Sequence, residues 1–392
     1  MSTEQTRIYL DYHATTPVDP RVYHAMEPYF TELFGNPASK NHAFGREASG
    51  AVERARAQVA ALIGAVPKEI IFTSGATESD NLAIKGVARQ GGNGAGHIVT
   101  LTTEHKAVLD PCNVLQHGGT EVTYLEVGHS GRVDLDPLRH ALRDDTMLVS
   151  VMHANNEIGV IQPVAEIGAL CRERGIPLHV DAAQSVGKIS VDVAAMNIDL
   201  LSISGHKLYA SKGIGALYVR SGRPRLKLQP QMDGGGHERG LRSGTLPVAL
   251  IVGLGLACEI CDQEMEAEAE RITALRNQLV DGLLAGLADV RINGDLSHRL
   301  PGNANMRFAQ VDAESLLRAL PNIALSTGSA CTTANLEPSH VLKAIGLDHE
   351  SSLSSVRFGL GRFTTAQEVA TVVNDVIAAV KRLRDALLIK SH

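Results

Sequence analysis

The sequence predicts an α/β fold: a mainly parallel, doubly wound sheet of seven strands flanked by helices, with a smaller α+β unit after about residue 262. Three observations carry this. Short β-rich runs fall at 69–73, 97–102, 121–127, 147–152, 177–180, 198–203 and 214–219, separated by helices or long connections. Apolar residues recur at helical spacing over 46–64 and 163–174. The texture then changes. Ile272, Leu275, Leu279, Leu283 and Leu287 mark an amphipathic helix over 263–287. Val369, Val372, Val373, Val376, Val380, Leu383 and Leu387 mark another over 367–387.

A chain of 392 residues has room for two or three domains and a large core. Its 44 % hydrophobic and 20 % charged residues exclude long disorder, collagen-like repeats and a disulfide scaffold. The formal charge of −6 gives no global nucleic-acid footprint. Five cysteines, sparse and odd in number, fit free thiols in a reducing compartment. The polar start and an apolar stretch, 246–258, shorter than the ~20 residues of a membrane span lead us to expect a cytoplasmic protein away from membranes. The glycine-rich stretch 91–96 lacks dinucleotide or Walker spacing and reads as a surface turn.

The chemistry-bearing residues fall at strand ends, where ligands of open α/β sheets gather. Thr73-Ser74-Gly75-Ala76-Thr77-Glu78 joins a strand to a helix, and its free amides suit either an anion or a simple helix cap. Asp181 directly follows an apolar strand. It could cap the next helix or hold a protonated ring nitrogen. Lys207 follows the strand at 198–203 and is either a surface lysine or a desolvated, nucleophilic amine. Taken together, in this order, they give one partner each to the phosphate, the ring nitrogen and the aldehyde of a pyridoxal phosphate.

The sequence resembles the cysteine desulfurases of the IscS/NifS type, in the class-V aminotransferase group with fold-type I architecture. The matching runs are Tyr9-Leu10-Asp11 with Ala14-Thr15-Thr16-Pro17, Phe34-Gly35-Asn36-Pro37-Ala38-Ser39, 72–81, Thr103-Glu104-His105-Lys106, Asn155-Asn156-Glu157-Ile158-Gly159, 204–207, 234–245, Ser329-Ala330-Cys331-Thr332 and Arg357-Phe358. They span nearly the whole chain in order.

The resemblance implies a large cofactor-binding domain over 16–262. A small α+β domain would comprise 1–15 and 263–392 and carry a catalytic cysteine loop at about 323–336. It implies that pyridoxal 5'-phosphate is held by Lys207 through its aldehyde, by His105 stacked on its ring, by Asp181 at its ring nitrogen and by Gln184 at its ring oxygen. Ala76, Thr77, Ser204 and His206 would hold the phosphate, and Thr245 would reach the phosphate in the partner subunit of a homodimer. Asn156 would position ring or substrate, Arg357 would clamp the substrate carboxylate, and His105 and Lys207 would move protons. Sulfur would pass from L-cysteine to Cys331, leaving L-alanine. From there it would go to an iron–sulfur scaffold protein, to tRNA thiolation or to other acceptors, with no direct nucleic-acid contact.

Cys331 lies in Ser326-Thr327-Gly328-Ser329-Ala330-Cys331-Thr332-Thr333-Ala334-Asn335, a run without large side chains that reads as a mobile loop. The other four cysteines read as small core residues, Cys258-Glu259-Ile260-Cys261 at a helix start included. The sixteen histidines lack ligand spacing, so no metal site is expected beyond a transient iron–sulfur contact at Cys331. The glycine-rich segment 234–242 reads as a loop over the dimer interface, and Lys381-Arg382-Leu383-Arg384 as a solvated helix face. Two departures from the family stand out. Gly359 replaces a serine found in many relatives, and the chain ends at His392, where housekeeping members have a longer scaffold-docking tail. Docking through that tail is therefore not expected, whereas sulfur delivery is. Selenocysteine lyase or another fold-type I activity is the alternative enzyme. A protein that keeps the fold without turnover is the non-enzyme alternative.

Overall fold

The computed structural model describes residues 7–91, 96–222, 226–327 and 338–390. Its strands are β1 (Ile8–Tyr9), β2 (Ile70–Thr73), β3 (His97–Leu101), β4 (Glu121–Leu125), β5 (Thr146–Met152), β6 (Leu178–Asp181), β7 (Leu200–Ser204), β8 (Gly215–Val219), β9 (Val290–Ile292), β10 (Asn303–Phe308), β11 (Ile323–Ala324) and β12 (Ser355–Gly359). Every β-rich run of the first 220 residues becomes a strand of one sheet, in the order β2-β8-β7-β6-β5-β3-β4. All its pairings are parallel except those of β8, which runs antiparallel to both β2 and β7. The connection from β7 to β8 is too short for a crossover helix, so β8 has to return in the opposite direction. Because β2 and β7 both oppose β8, they share a direction. The carboxyl ends of β2, β3, β5, β6 and β7 therefore open on one edge of the sheet.

Central strands buried on both faces explain the continuous apolar runs. Ile70, Phe72, Val99, Val149, Val151, Val180, Leu201 and Ile203 belong to a core shared with helix Ala43–Leu62 and the first half of helix Val248–Gly286. Ile71, Ile98, Leu148, Leu200 and Leu217 face the opposite layer, against helices Ala76–Ala88 and Lys106–His117. A separate core gathers Ile8 and Leu10 with Leu275, Leu279, Met306, Phe308, Phe358, Val372 and Val376. It covers the small sheet β12-β10-β9.

The structure differs from the sequence reading at one boundary. Helix Val248–Gly286 is continuous over 39 residues and joins the apolar stretch before residue 262 to the amphipathic stretch after it. Pro247 precedes its first turn, where a missing N–H costs nothing, and no proline interrupts the interior. Its first half lies against helix Ala43–Leu62 so closely that a Cβ on Gly255 would stand 2.5 Å from the Ala55 Cα. Cys258 and Cys261 thus lie within the helix and are buried. Val341, Leu342 and Ile345, near the end of the chain, pack into the core of the large sheet. Among the described residues, no helix is long and apolar enough to cross a membrane.

Candidate active site

The turn after β2 is shaped by Gly75, whose φ of 153° is open to glycine and strained for other residues. It stands immediately before helix Ala76–Ala88 with no side-chain cap, so the first amides of the helix remain available. Behind the turn sits Gly215 of β8, where a Cβ would come within 2.6 Å of the Gly75 Cα. Glu78 fixes the turn from the far side, accepting from the Ser74 amide at 2.8 Å while paired with Arg242 at 2.9 Å.

His105 begins helix Lys106–His117 after β3. Its Nδ1 accepts from the Ala107 amide at 3.1 Å, which leaves the proton of the neutral ring on Nε2. Burial lowers its pKa, against the field of Asp181. Asp181 ends β6, 6 % exposed, and accepts from the Ala183 amide at 2.9 Å. Burial, with Asp80 nearby, pushes its carboxyl up to about 6. One oxygen of Asp181 caps the following turn, as the first reading has it, and the residue also lines the cavity.

Lys207 lies just beyond β7, and its Nζ donates to the carbonyls of His13 and of Ala14, the latter at 2.8 Å. His206 is held by the Thr15 hydroxyl at 3.1 Å. Gln184 donates from Nε2 to the His13 carbonyl at 3.0 Å. Its Oε1 accepts from Lys188 at 3.1 Å and pairs with His13 Nδ1 at 3.0 Å.

Arg357 comes from β12 of the small sheet, 4 % exposed. It donates to Asp11 at 2.7 Å and to the Asn156 carbonyl at 2.8 Å, while its Nε has no partner among the described residues. A planar guanidinium held at two corners keeps further N–H groups that can pair with a carboxylate.

One cavity of about 540 Å³ brings these together: Ala76, Thr77, His105, Asn156, Asp181, Gln184, Ser204, His206, Lys207 and Arg357 all line it. Thr245 does not; it is exposed on the same chain. Cys331 and most of its loop lie outside the described residues, as do residues 92–95 of the glycine-rich stretch and the first six residues. Among the described residues no cluster of three metal-ligating side chains occurs. Glu238, in the segment read as an interface loop, is tied inside its own chain, to Arg56 and to the Phe72 amide at 2.8 and 2.7 Å. Arg384, read as solvated, donates to the carbonyls of Ala288 and Ala309 at 2.8 and 2.9 Å. The sequence reading passed over His13, Lys188 and Asp11. Only Asp11 carried a signal, through its place in a family-like run.

The sheet edge, the helix start, the buried Asp181 and the half-buried Lys207 agree with the class that the whole sequence shows: residues 8–372 match the aminotransferase class-V family. The chain is 56 % identical to a cysteine desulfurase of Homo sapiens over 96 % of its own length and 82 % of that protein. It is 57 % identical to a cysteine desulfurase IscS of Anaeromyxobacter sp. (strain Fw109-5), over 96 % and 93 %. Among solved structures it is similar to a NifS-like protein, with TM-score 0.89, 36 % identity and coverage of 96 % and 100 %. It is also similar to SspA in complex with cysteine, with TM-score 0.82, 40 % identity and coverage of 92 % and 100 %. The chain belongs to the class-V aminotransferases and, within them, to the cysteine desulfurases.

Members of this family use pyridoxal phosphate. The residues present fit it. Asp181 is a buried carboxyl whose ionised form lacks a full cationic partner, which a pyridinium N–H would supply. The uncapped helix start suits a phosphate, and the Lys207 amine stands in the same cavity.

Proposed function

We propose that this protein removes sulfur from L-cysteine, releases L-alanine and holds the sulfur as a persulfide on Cys331. The observation that carries this is the convergence of Lys207, Asp181, His105, the helix start at Ala76 and Arg357 on one cavity. The acceptors are an iron–sulfur scaffold protein and other sulfur-receiving systems, tRNA thiolation among them. Proteins named IscS among the relatives support that destination. The protein works as a homodimer in which Thr245 of each subunit completes the other's phosphate site. Its exposure and its absence from the lining of its own cavity are consistent with that. Residues 1–15 and 263–392 act as a small domain that contributes Arg357 and Cys331.

Bound pyridoxal phosphate supplies the electron sink that lets the substrate's α-proton leave. Lys207 would hold it through its aldehyde, Asp181 at the ring nitrogen, Gln184 at the ring oxygen, and Ala76, Thr77, Ser204 and His206 at the phosphate. Arg357 receives the cysteine carboxylate, oriented by Asp11 and the Asn156 carbonyl. Lys207 moves the proton at the α-carbon. Cys331 reacts as its thiolate, the only nucleophilic form of that side chain, its proton leaving to solvent, while His105, kept neutral by burial, donates a hydrogen bond from Nε2 to the reacting groups. The thiolate attacks the substrate sulfur; the S–S bond forms as the C–S bond breaks, and the carbon is protonated to the methyl of alanine.

The test is alanine and sulfide release from L-cysteine with a reductant, for the native protein, Cys331→Ala and Lys207→Ala. Both products from the native protein and neither from the variants supports the reading. Full activity in Cys331→Ala contradicts it, and alanine made only from selenocysteine would favour the lyase.

A further inference from the structure

We propose that His13 is a positioning residue for this reaction, and that Gly359 is the space in which its ring sits. His13 lies between Asp11 and Ala14, and the fold brings it against Gly359 of β12. The Asp11 segment bridges to Gly359, and a Cβ on Gly359 would stand 3.0 Å from the His13 Cδ2. A larger residue at 359 would press on the imidazole and on the Tyr12 and His13 backbone nitrogens, at 2.9 and 3.1 Å, that carry it.

His13 touches two parts of the cavity wall. Its carbonyl accepts from Lys207 Nζ and, at 3.0 Å, from Gln184 Nε2. Its ring Nδ1 lies 3.0 Å from Gln184 Oε1. Lys188 donates to the same oxygen at 3.1 Å, so the amide orientation is set from two sides and Nδ1 must be the donor. The ring stays neutral: burial and the charges of Lys188, Arg357 and Lys207 hold its pKa well below the usual value. The other nitrogen, Nε2, is buried with no partner among the described residues. Leaving a ring nitrogen unpaired opposes folding. A smaller side chain would avoid that cost, so the imidazole is kept for what Nδ1 does: it fixes the Gln184 amide against the cavity.

This inference rests on the reading that Gln184 faces the cofactor's ring oxygen. The experiment compares holoenzyme of the native protein, His13→Ala, His13→Asn and Gly359→Ser. The readouts are the visible absorption band of the bound cofactor, kcat and KM for L-cysteine, and thermal unfolding of the cofactor-free chains. His13→Ala is expected to shift the band and lower kcat about tenfold to a hundredfold, the scale of a small misplacement in a site, with KM unchanged. His13→Asn keeps a donor at the same branch of the side chain and is expected to restore both. Gly359→Ser, which crowds the ring from behind, is expected to shift the band as His13→Ala does. A native band and kcat in His13→Ala overturns the proposal, and so does an equal loss in His13→Asn. Should His13→Ala not fold, a near-native His13→Asn with a shifted band in Gly359→Ser supports the proposal, and the reverse overturns it. A native protein that makes no alanine would sink the proposed function; a native protein with full activity and an indifferent His13→Ala sinks only this inference.

Discussion

Asp181 carries an electrostatic consequence that can be measured without turnover. Burial beside Asp80 raises its carboxyl to about 6 in the cofactor-free chain. A pyridinium N–H favours the ionised form, so binding has to expel the proton wherever Asp181 still holds it. Above about pH 6 it is already ionised and binding needs no proton release; below that, affinity falls as pH falls. A fluorescence titration of the cofactor-free protein is expected to show weakening affinity from pH 7 to pH 5, with Asp181→Asn flat over that range. Equal slopes in the two proteins would contradict the assignment. Asp181 and Lys207 were legible in the sequence because each follows an apolar strand whose end could be placed. His13 and Lys188 were not. Each meets Gln184 through its side chain, and the pairing of His13 with it spans segments far apart in the chain.

At the scale of elements, the helix start proposed to hold the phosphate is backed by β8, a strand whose residues do not line the cavity. β8 lies between β2 and β7, and Gly215 at its start backs directly on the Ser74-Gly75 turn. A methyl there would meet the Ile203 carbonyl oxygen and the Gly75 backbone, and Gly75 cannot move without shifting the first amides of helix Ala76–Ala88. Gly215→Ala is therefore expected to weaken cofactor affinity roughly tenfold, the scale of one misplaced charge-assisted hydrogen bond. An unchanged dissociation constant in a folded variant would count against that helix start as the anchor. The strand of Gly215 was readable from its β-rich pattern, but its antiparallel direction was not, since direction follows from the length of one connection. The strands of the small sheet were missed altogether. β9, at three residues, carries too little pattern to be seen, as do the two-residue β1 and β11 of the separate two-stranded sheet.

For the whole molecule, the large core was legible because its strands are buried on both faces and read as apolar runs. The break between the two cores was less so. It falls inside one continuous helix, Val248–Gly286, whose first half packs on the large sheet and whose second half, with Leu275, Leu279 and Leu283, belongs to the small core. A composition shift locates a change of partners, and here the backbone runs through it unbroken. The proposed exchange of Thr245 between subunits has its own test. Lys207→Ala and Thr245→Ala, each impaired alone, are unfolded together, refolded and assayed. Shared sites are expected to recover part of the native alanine release, since one site of each mixed dimer would hold both an intact lysine and an intact threonine. No recovery would place Thr245 with its own subunit's cavity or outside any site. The central claim, that sulfur leaves L-cysteine for Cys331, is tested most directly by mass spectrometry of the Cys331 peptide after brief exposure to L-cysteine without reductant, followed by alkylation. The account expects one additional sulfur atom on that peptide, lost on treatment with a thiol reductant and absent in Lys207→Ala. An unmodified Cys331 in protein that is releasing alanine would contradict it.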